Sequence, residues 1–239
     1  MKIRFFALLF FLGIFFISTT ADAVTIAPLR QTAVVDAGKE VIVSLFVINN
    51  TEEPFTVTPE VDAFSIDEKT GAAIFGVFDT AKQWLVPVEK ELVLLPEEHG
   101  QFHFIVRPPA DALPGAHYLG LFAKKSAENG QVGLGSRVGY LFFLHIAGDV
   151  TESLQKKDFS FTAPVLTRGE SAVHIDLENN GNIHVVPQGK IIFQNWRGGV
   201  INEVVFNEAG EKILADGRFK RTVDLPPLSF KDIGKVQAT

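Results

Sequence analysis

Apolar residues beyond residue 24 occur in short alternating or continuous runs, which Gly, Pro, Asn or Asp interrupts about every 8–15 residues. This spacing predicts β-strands joined by turns, because successive side chains of a strand point to opposite faces. Extended helical periodicity is absent from this part of the sequence. We therefore predict an all-β fold with antiparallel sheets, whose clearest strands are Glu40–Ile48, Phe55–Val61, Gln101–Val106, His117–Ala123, Arg137–Ile146, Ala172–Leu177, Gly189–Gln194 and Val200–Phe206.

Two stretches of the chain repeat one pattern. "VSLFVINNTEEPFTVTPEV" (43–61) and "VHIDLENNGNIHVVPQGKI" (173–191) each contain an alternating strand ending in Asn-Asn, a polar turn and a second strand with a proline. A structural unit used twice predicts two tandem Ig-like β-sandwiches, residues 24–150 and 158–239, joined by a polar linker at 151–157. In the second stretch, Asn180-Gly181 is expected to turn the chain through positive φ.

The second domain is shorter than the roughly 100 residues of a seven-stranded sandwich. We therefore expect it to be either C-terminally incomplete or open at one sheet edge.

The N-terminus has the three parts of a secretory signal peptide. Lys2 and Arg4 precede the apolar segment Phe5–Ile17, and Ala21-Asp22-Ala23 supplies a cleavage site before Val24. The apolar segment is about 13 residues long, whereas a membrane-spanning helix needs about 20. We predict that residues 1–23 are removed and that the protein is exported to the periplasm, cell surface or extracellular space.

Composition excludes several classes of function. The net charge is −6 and no cluster of Lys and Arg occurs, which argues against nucleic-acid binding. Cysteine is absent, so disulfides, thiolate metal sites and a cysteine nucleophile are excluded. The 46% hydrophobic content, with 22 Phe, can supply a core without disulfides.

Two predicted strands are apolar on both faces. Val41–Ile48 and Arg137–Ile146 lack the alternation expected of a strand with one wet face. We expect the outer face to be covered by the second domain or by a partner protein.

The histidines were considered as metal ligands or catalytic groups. His99 and His103 are four residues apart, but alternating Phe102 and Phe104 place them on a strand preceded by a turn. His174 and Asp176 share a strand face, whereas a zinc site needs three or four convergent ligands. Metal-assisted hydrolysis by His99, His103 or His174 is therefore the weaker reading, and we expect no metal, no cofactor and no enzymatic activity.

Two short motifs have structural readings as well. Gly133, Gly135 and Gly139 precede a strand and not a helix, which disfavours a phosphate-binding loop. Asn49-Asn50-Thr51 is a formal glycosylation sequon.

Four aromatic or imidazole side chains are the candidate binding residues: Trp84, His117, Tyr118 and Trp196. Both tryptophans also suit the ends of a sandwich core. Tyr118 enters a strand after the loop "RPPADALPG", and its hydroxyl is expected to bond back to that loop, as in a tyrosine corner.

The segments "VTIAPLRQTAVVDAGKEVIVSLFVINNTEEPFTV", "LPEEHGQFHFIVRPPADALPGAHYLGLF" and "RVGYLFFLHIAGDV" resemble the N-terminal Ig-like domain of bacterial WxL-interacting proteins and their relatives. "LENNGNIHVVPQGKIIFQNWRGGVINEVVFNE" and "ILADGRFKR" resemble the second Ig-like domain of that family. The resemblance implies a surface protein with a peptidoglycan-binding first domain and a second domain that contacts proteins. Relatives also carry a C-terminal membrane helix, which does not occur within these 239 residues.

We accordingly expect a non-catalytic exported protein that binds a cell-wall polymer or an envelope or surface protein through its Ig-like domains. The alternative is a PapD-like periplasmic chaperone, in which "RVGYLFFLHI" is the strand donated to pilin-type subunits. The strand does not end in the Arg-Pro expected of those chaperones, and the loop "PADALPGAHY" is foreign to them.

Overall fold

The structure is a computed structural model that describes residues 23–125, 136–162, 171–194, 198–225 and 237–238. Within these ranges the chain forms sixteen β-strands and one 3₁₀ helix, Thr80–Trp84. All strand pairs are antiparallel except one. The prediction of an all-β protein with two tandem Ig-like sandwiches is confirmed.

The first sandwich has a four-stranded sheet in the order β1-β3-β8-β6 and a larger sheet in the order β2-β10-β9-β4-β5, with β7 also pairing with β4. Its strands are β1 (Ala23–Ala27), β2 (Arg30–Val35), β3 (Val41–Asn50), β4 (Phe55–Ile66), β5 (Ala73–Phe75), β6 (Leu85–Pro87), β7 (Leu92–Leu94), β8 (His99–Val106), β9 (Gly115–Lys125) and β10 (Arg137–Ile146). The parallel pair joins β2 to β10. Because β1 and β2 belong to different sheets, the N-terminal segment crosses from one layer to the other.

The second sandwich consists of two three-stranded sheets in the described ranges, β11-β12-β15 and β14-β13-β16. Its strands are β11 (Leu154–Thr162), β12 (Ser171–Asn179), β13 (Gly189–Gln194), β14 (Val200–Phe206), β15 (Arg218–Leu225) and β16 (Gln237–Ala238). β11 begins inside the stretch predicted to be a linker. That stretch is polar because β11 is an edge strand exposed at nearly every position.

Alternate side chains of the strands build the cores. In the first sandwich Leu45 of β3, Phe102 of β8, Leu121 of β9 and Phe142 of β10 are fully buried between the sheets. A smaller core fills the second sandwich and consists of Val173, Ile175, Ile191 and Phe193. Burial of this apolar surface is the main stabilising contribution in a protein without disulfides.

The Asn-Asn repeat has a structural counterpart in two buried asparagines, Asn49 and Asn179. Asn49 Nδ2 donates to the carbonyl oxygens of Glu53, at 2.9 Å, and Leu94, at 3.0 Å. Asn179 Nδ2 donates in the same way to the carbonyl four residues later and to two carbonyls of the segment 213–214. Each asparagine therefore fastens the turn after its strand to a distant part of its sandwich. Since the Asn49 amide is buried and bonded, the sequon is inaccessible in the folded chain.

The turn predicted at Asn180-Gly181 is present, but the predicted reason for the glycine, a positive φ, was wrong. Gly181 lies outside the positive-φ region; a side chain there would place its Cβ 2.1 Å from the carbonyl oxygen of Thr151. The Gly181 N–H donates to Asn179 Oδ1 at 2.9 Å. Glycine is needed because another backbone segment passes close by.

The outer face of the larger sheet of the first sandwich is covered by the second sandwich. Phe64, Tyr118 and Phe143 of that face form a buried cluster with Leu214. This accounts for the apolar residues on both faces of β10, as predicted. The outer face of β3 differs, because its Ile42 remains 61% exposed. Among the described residues, the search for a helix of sufficient length and hydropathy to span a membrane finds none.

Candidate functional site

β10 is paired along only part of one side. β2 pairs with Leu141–Ile146, whereas β9 pairs with the whole strand on the other side. Residues 137–140 therefore have no paired strand on the β2 side among the described strands. We call this stretch the open edge.

The backbone groups that the open edge presents follow from the alternation along a strand. The Leu141 N–H donates towards β2, to the Leu29 carbonyl at 3.3 Å. The Ser136 carbonyl points the other way and accepts from Lys125 N at 3.0 Å. Polar groups of alternate residues point in alternate directions, so the N–H and C=O of Arg137 and Gly139 face outwards at the open edge.

Side-chain contacts on the outer face hold the open edge against the sheet. The Arg137 guanidinium lies 4.3 Å from the centroid of the Phe122 ring in β9. It also bonds to Glu60 and, at 3.3 Å, to Asp62 of β4. Burial opposes ionisation of Asp62, but its bonds to Lys82 and Arg137 hold its pKa below the usual value. Arg137 thus connects the first residue of β10 to a strand two positions away.

Gly139 has a steric role beside this contact. A Cβ at Gly139 would lie 2.2 Å from the Leu121 carbonyl oxygen and 2.4 Å from the Phe122 ring. The glycine therefore allows the ring to lie over the backbone of β10, and this structural role agrees with the reading that disfavoured a phosphate loop. Gly133 and Gly135 lie outside the described residues.

Tyr118 connects the two sandwiches. Its hydroxyl accepts a hydrogen bond from the backbone N–H of Ala215 at 3.0 Å. The expected bond to the loop preceding β9 was wrong, because the residue lies on the outer face of the sheet, where the second sandwich supplies the donor. Burial raises the pKa of Tyr118 to about 12, so the hydroxyl remains protonated at neutral pH.

A basic cluster surrounds the Phe143 ring at the contact between the sandwiches; it consists of Arg30, His145, His184 and Lys212. The Arg30 guanidinium carbon and Lys212 Nζ lie 5.7 and 5.1 Å from the ring centroid. The His184 ring is 5.5 Å from Phe143 and 5.3 Å from the His145 ring. Among the described residues, no carboxylate forms an ion pair with Arg30 or Lys212. This part of the site is therefore electropositive.

Asn182 holds the connection between the sandwiches. Its Nδ2 donates to the carbonyls of Pro114, at 3.1 Å, and Asp149, at 3.0 Å, and its Oδ1 accepts from Thr151 N at 2.7 Å. Its backbone carbonyl accepts from Ala116 N at 2.8 Å. The side chain and backbone of Asn182 together thus join the start of β9, the connecting segment and the turn after β12.

A cavity of about 330 Å³ lies between the sandwiches. Phe64 and Tyr118 line it from the first sandwich, and Leu214 and Asp216 line it from the second. Phe78, at its rim, is 91% exposed. The space is bounded by both apolar and charged groups.

The candidate binding residues are divided between different environments. Trp84 packs against the core of the first sandwich, and its ring lies 4.7 Å from that of His117. His117 Nδ1 is 3.1 Å from both carboxylate oxygens of Asp79. Tyr118 belongs to the contact between sandwiches, and Trp196 lies outside the described residues. The roles of these four residues in binding remain predictions. The alternative hypothesis from the sequence named the strand Arg137–Ile146 as the one offered to a partner, but the sequence predicted neither the extent of its open edge nor the basic cluster.

The histidines considered as metal ligands are placed apart. His99 is exposed at the start of β8, and His103 Nδ1 is 2.7 Å from Glu89 Oε1. His174 lies in the second sandwich, between the hydroxyls of Thr162 and Thr222 at 3.1 Å each. In the described ranges, no group of three or more His, Asp or Glu side chains is arranged to hold a metal ion.

Comparison with known proteins gives matches only at the level of structure. No protein-family model matches the chain, and no curated protein matches it in sequence. The fold is similar to that of the class 5 fimbriae chaperone CfaA, with a TM-score of 0.51 and 12% identity over 90% of this chain and 98% of that one. It is also similar to a chain from a chaperone–tip adhesin complex described as vital for CFA/I fimbriae biogenesis, with a TM-score of 0.50, 12% identity and the same coverage.

These matches show that the chain shares its fold with solved fimbrial chaperones. The resemblance to WxL-interacting proteins was wrong, because the similar solved structures are fimbrial chaperones that match along nearly their whole length. The segments on which that resemblance depended specify strands and turns, and different classes of Ig-like protein share these features.

Proposed function

We propose that this exported protein is a chaperone-type, non-catalytic binding protein for an envelope protein subunit. It holds an extended segment of its partner as an added strand on the open edge of β10. The similarity of fold to fimbrial chaperones supports this class of function. Binding of a cell-wall polymer, the first function expected from the sequence, has no support from these comparisons.

The observation that carries the proposal is the interrupted pairing of β10. The outward N–H and C=O groups of Arg137 and Gly139 can bond to the main chain of a partner, which is how strand addition provides affinity. Such an edge is otherwise a site of unwanted pairing, and proteins usually cover or block it. An edge that is open over one half of a strand and covered by β2 over the other half is suited to a short segment.

Side chains near the open edge indicate the chemistry of that segment. Val138 and Val24 are partly buried at the border of the core of the first sandwich. A partner strand would extend this apolar border, so we expect alternating apolar residues in it. Arg30 pairs with Leu141, immediately beyond the open edge, and belongs to the electropositive cluster. An acidic group at the adjoining end of the segment would complement this charge.

Site-specific cross-linking in the cells of origin tests the proposal. A photoreactive phenylalanine analogue replaces Ser136, which is exposed next to the open edge, and a control chain carries it at the exposed Glu208 of the second sandwich. We expect Ser136 to cross-link to one envelope protein through a segment of alternating apolar residues, and Glu208 not to do so. A synthetic peptide of that segment should then protect the Gly139 amide of the purified chain from hydrogen exchange.

Two results would contradict the proposal. One is cross-linking from Ser136 to cell-wall material or to the same products as from Glu208. The other is peptide binding that leaves the exchange rate of the Gly139 amide unchanged.

A further inference from the structure

The contact between the two sandwiches contains two histidines that each have one buried ring nitrogen without a partner among the described residues. His145 Nε2 and His184 Nδ1 are both buried, and neither has a hydrogen-bond partner in the described structure. Tyr118 of β9 also faces His184, with ring centroids 6.3 Å apart. Asp216 acts electrostatically on Tyr118, and it is the one acidic group with an identified effect on the residues facing these histidines. Asp79 and Arg218 line the adjoining cavity together with Lys212, and the remaining ionisable groups at this contact are the basic residues of the cluster.

The contact between Lys212 and His184 determines the protonation state of the imidazole. Lys212 Nζ is hydrogen-bonded to His184 Nε2. An ammonium group can only donate hydrogen bonds, so Nε2 must be the acceptor and the imidazole must be neutral, with its proton on Nδ1. Protonation of Nε2 would place two donors and two positive charges against each other.

We propose that the basic cluster is a proton-sensitive joint, in which protonation of His184 separates the second sandwich from the Phe143 and Tyr118 rings of the first. The added charge would lie beside Lys212 and close to Arg30, and no carboxylate of the described residues forms an ion pair with either of them. In the separated state, His184 would be exposed to water and removed from Arg30 and His145 of the first sandwich, so its protonation would cost less. Lys212 would remain beside it, because the bridge between Val185 and Ile213 holds both residues in the second sandwich. The proposal does not depend on the proposed function.

The direction of the pH effect follows from the pKa of His184. Burial first, and then the charges of Lys212, His145 and Arg30, lower this pKa to about 4 from the ordinary 6.5. The separated state therefore binds more protons between pH 6.5 and 4, and the closed state loses stability as the pH falls through this range. An ordinary pKa of 6.5 for His184 in the separated state would raise the ratio of separated to closed molecules about 30-fold from pH 7.5 to pH 5.0. The rise should be smaller than this limit, because Lys212 stays beside His184 after separation and solvent screens the half-buried ring.

Distance measurement between two spin labels tests the joint. The chain contains no cysteine, so Lys90→Cys and Glu208→Cys give one label on an exposed position of each sandwich. Double electron–electron resonance on the full chain should show one short distance at pH 7.5 and an additional longer distance at pH 5.0. An unchanged distance distribution at pH 5.0 would overturn the proposal.

Variants of single histidines identify the group that responds. His184→Gln keeps an acceptor for Lys212 but cannot be protonated in this pH range, and it should abolish the longer distance at pH 5.0. His184→Phe, which retains ring packing, serves if the glutamine variant does not fold. His174→Gln, in the exposed face of the second sandwich, is the matched control and should respond like the unchanged protein. An acid response that survives in the His184 variants would refute the assignment.

Discussion

Replacement of Asn49 by alanine should destabilise the first sandwich far more than the same change at its neighbour. The Asn49 side chain forms four hydrogen bonds although it is fully buried. Its Oδ1 accepts from the N–H of Thr51 at 2.9 Å and from the Thr51 hydroxyl at 2.6 Å, in addition to the two bonds that its Nδ2 donates. Asn50 is exposed, and among the described residues its side chain bonds only to the Thr25 hydroxyl, at 2.6 Å.

The expected magnitude follows from what each partner of Asn49 can do after the substitution. The Thr51 hydroxyl has a single proton and lies 2.9 Å from the Glu53 carbonyl, so after the substitution it can donate to that carbonyl and little is lost there. The Leu94 carbonyl and the Thr51 N–H lose the asparagine, and Leu94 is buried. A buried polar group left without a partner costs about 1–3 kcal/mol, so Asn49→Ala should lower the free energy of unfolding by about 3–5 kcal/mol. Asn50→Ala should lower it by less than about 1 kcal/mol, as an exposed hydrogen bond contributes little.

Urea denaturation measures this difference. Trp84 packs against the core of the first sandwich, so its fluorescence in a Trp196→Phe background reports on that sandwich. The free energies of unfolding of both asparagine variants are determined in this background by the same linear extrapolation to zero urea. If the free energies of unfolding of the Asn49→Ala and Asn50→Ala variants differ by less than about 1 kcal/mol, the buried asparagine does not fasten the turn to the sandwich. The interpretation of the repeat as a stabilising unit is then wrong.

Three further substitutions test the open edge and the contact between sandwiches. Arg137→Gln should accelerate hydrogen exchange across the open edge while leaving the β2-paired half of β10 unchanged, and equal acceleration in both halves would contradict the bracing role. Gly139→Ala should lower the free energy of unfolding, measured with urea, by about 2–3 kcal/mol, because the new Cβ meets the backbone of β9. Gly189 has open space around it, so Gly189→Ala should lower the same free energy by less than about 1 kcal/mol. Tyr118→Phe should expose the Ala215 amide to exchange and lower stability by about 1 kcal/mol, and unchanged exchange would show that the hydroxyl bond is unimportant.

Strands with strong apolar alternation could be predicted from the sequence because burial dictates both the pattern and the structure. All eight predicted runs coincide with strands, and three of them, at Arg137–Ile146, Gly189–Gln194 and Val200–Phe206, have the same bounds. β11 was missed because its nine residues are almost entirely exposed, so no buried face produces a pattern. Phe219 and Val223 are an even number of positions apart and so lie on the same face of β15. This strand was nevertheless missed, because charged residues separate the two.

Features that depend on pairing between distant segments could not be predicted. The open edge exists because β2 meets β10 at Leu141 and not at Arg137, a register set between segments about 110 residues apart. The basic cluster draws Arg30 and Lys212 from opposite ends of the chain. Neither position has a local signature, since one arginine or one lysine beside an apolar run is ordinary in any strand protein.

The same distinction explains why the family resemblance failed while the fold prediction succeeded. Alternation and turn residues report burial within a sandwich, and every class of tandem Ig-like protein must satisfy that requirement. The proposed function depends instead on which edge is left unpaired and on what lies beside it. In this chain β2 covers Leu141–Ile146, Arg137 braces the uncovered part across β9, and the second sandwich covers the outer face through Tyr118. A wall-binding module would not need this combination of three features. A protein that accepts a partner strand, by contrast, needs an edge that is both unpaired and already held in the extended conformation.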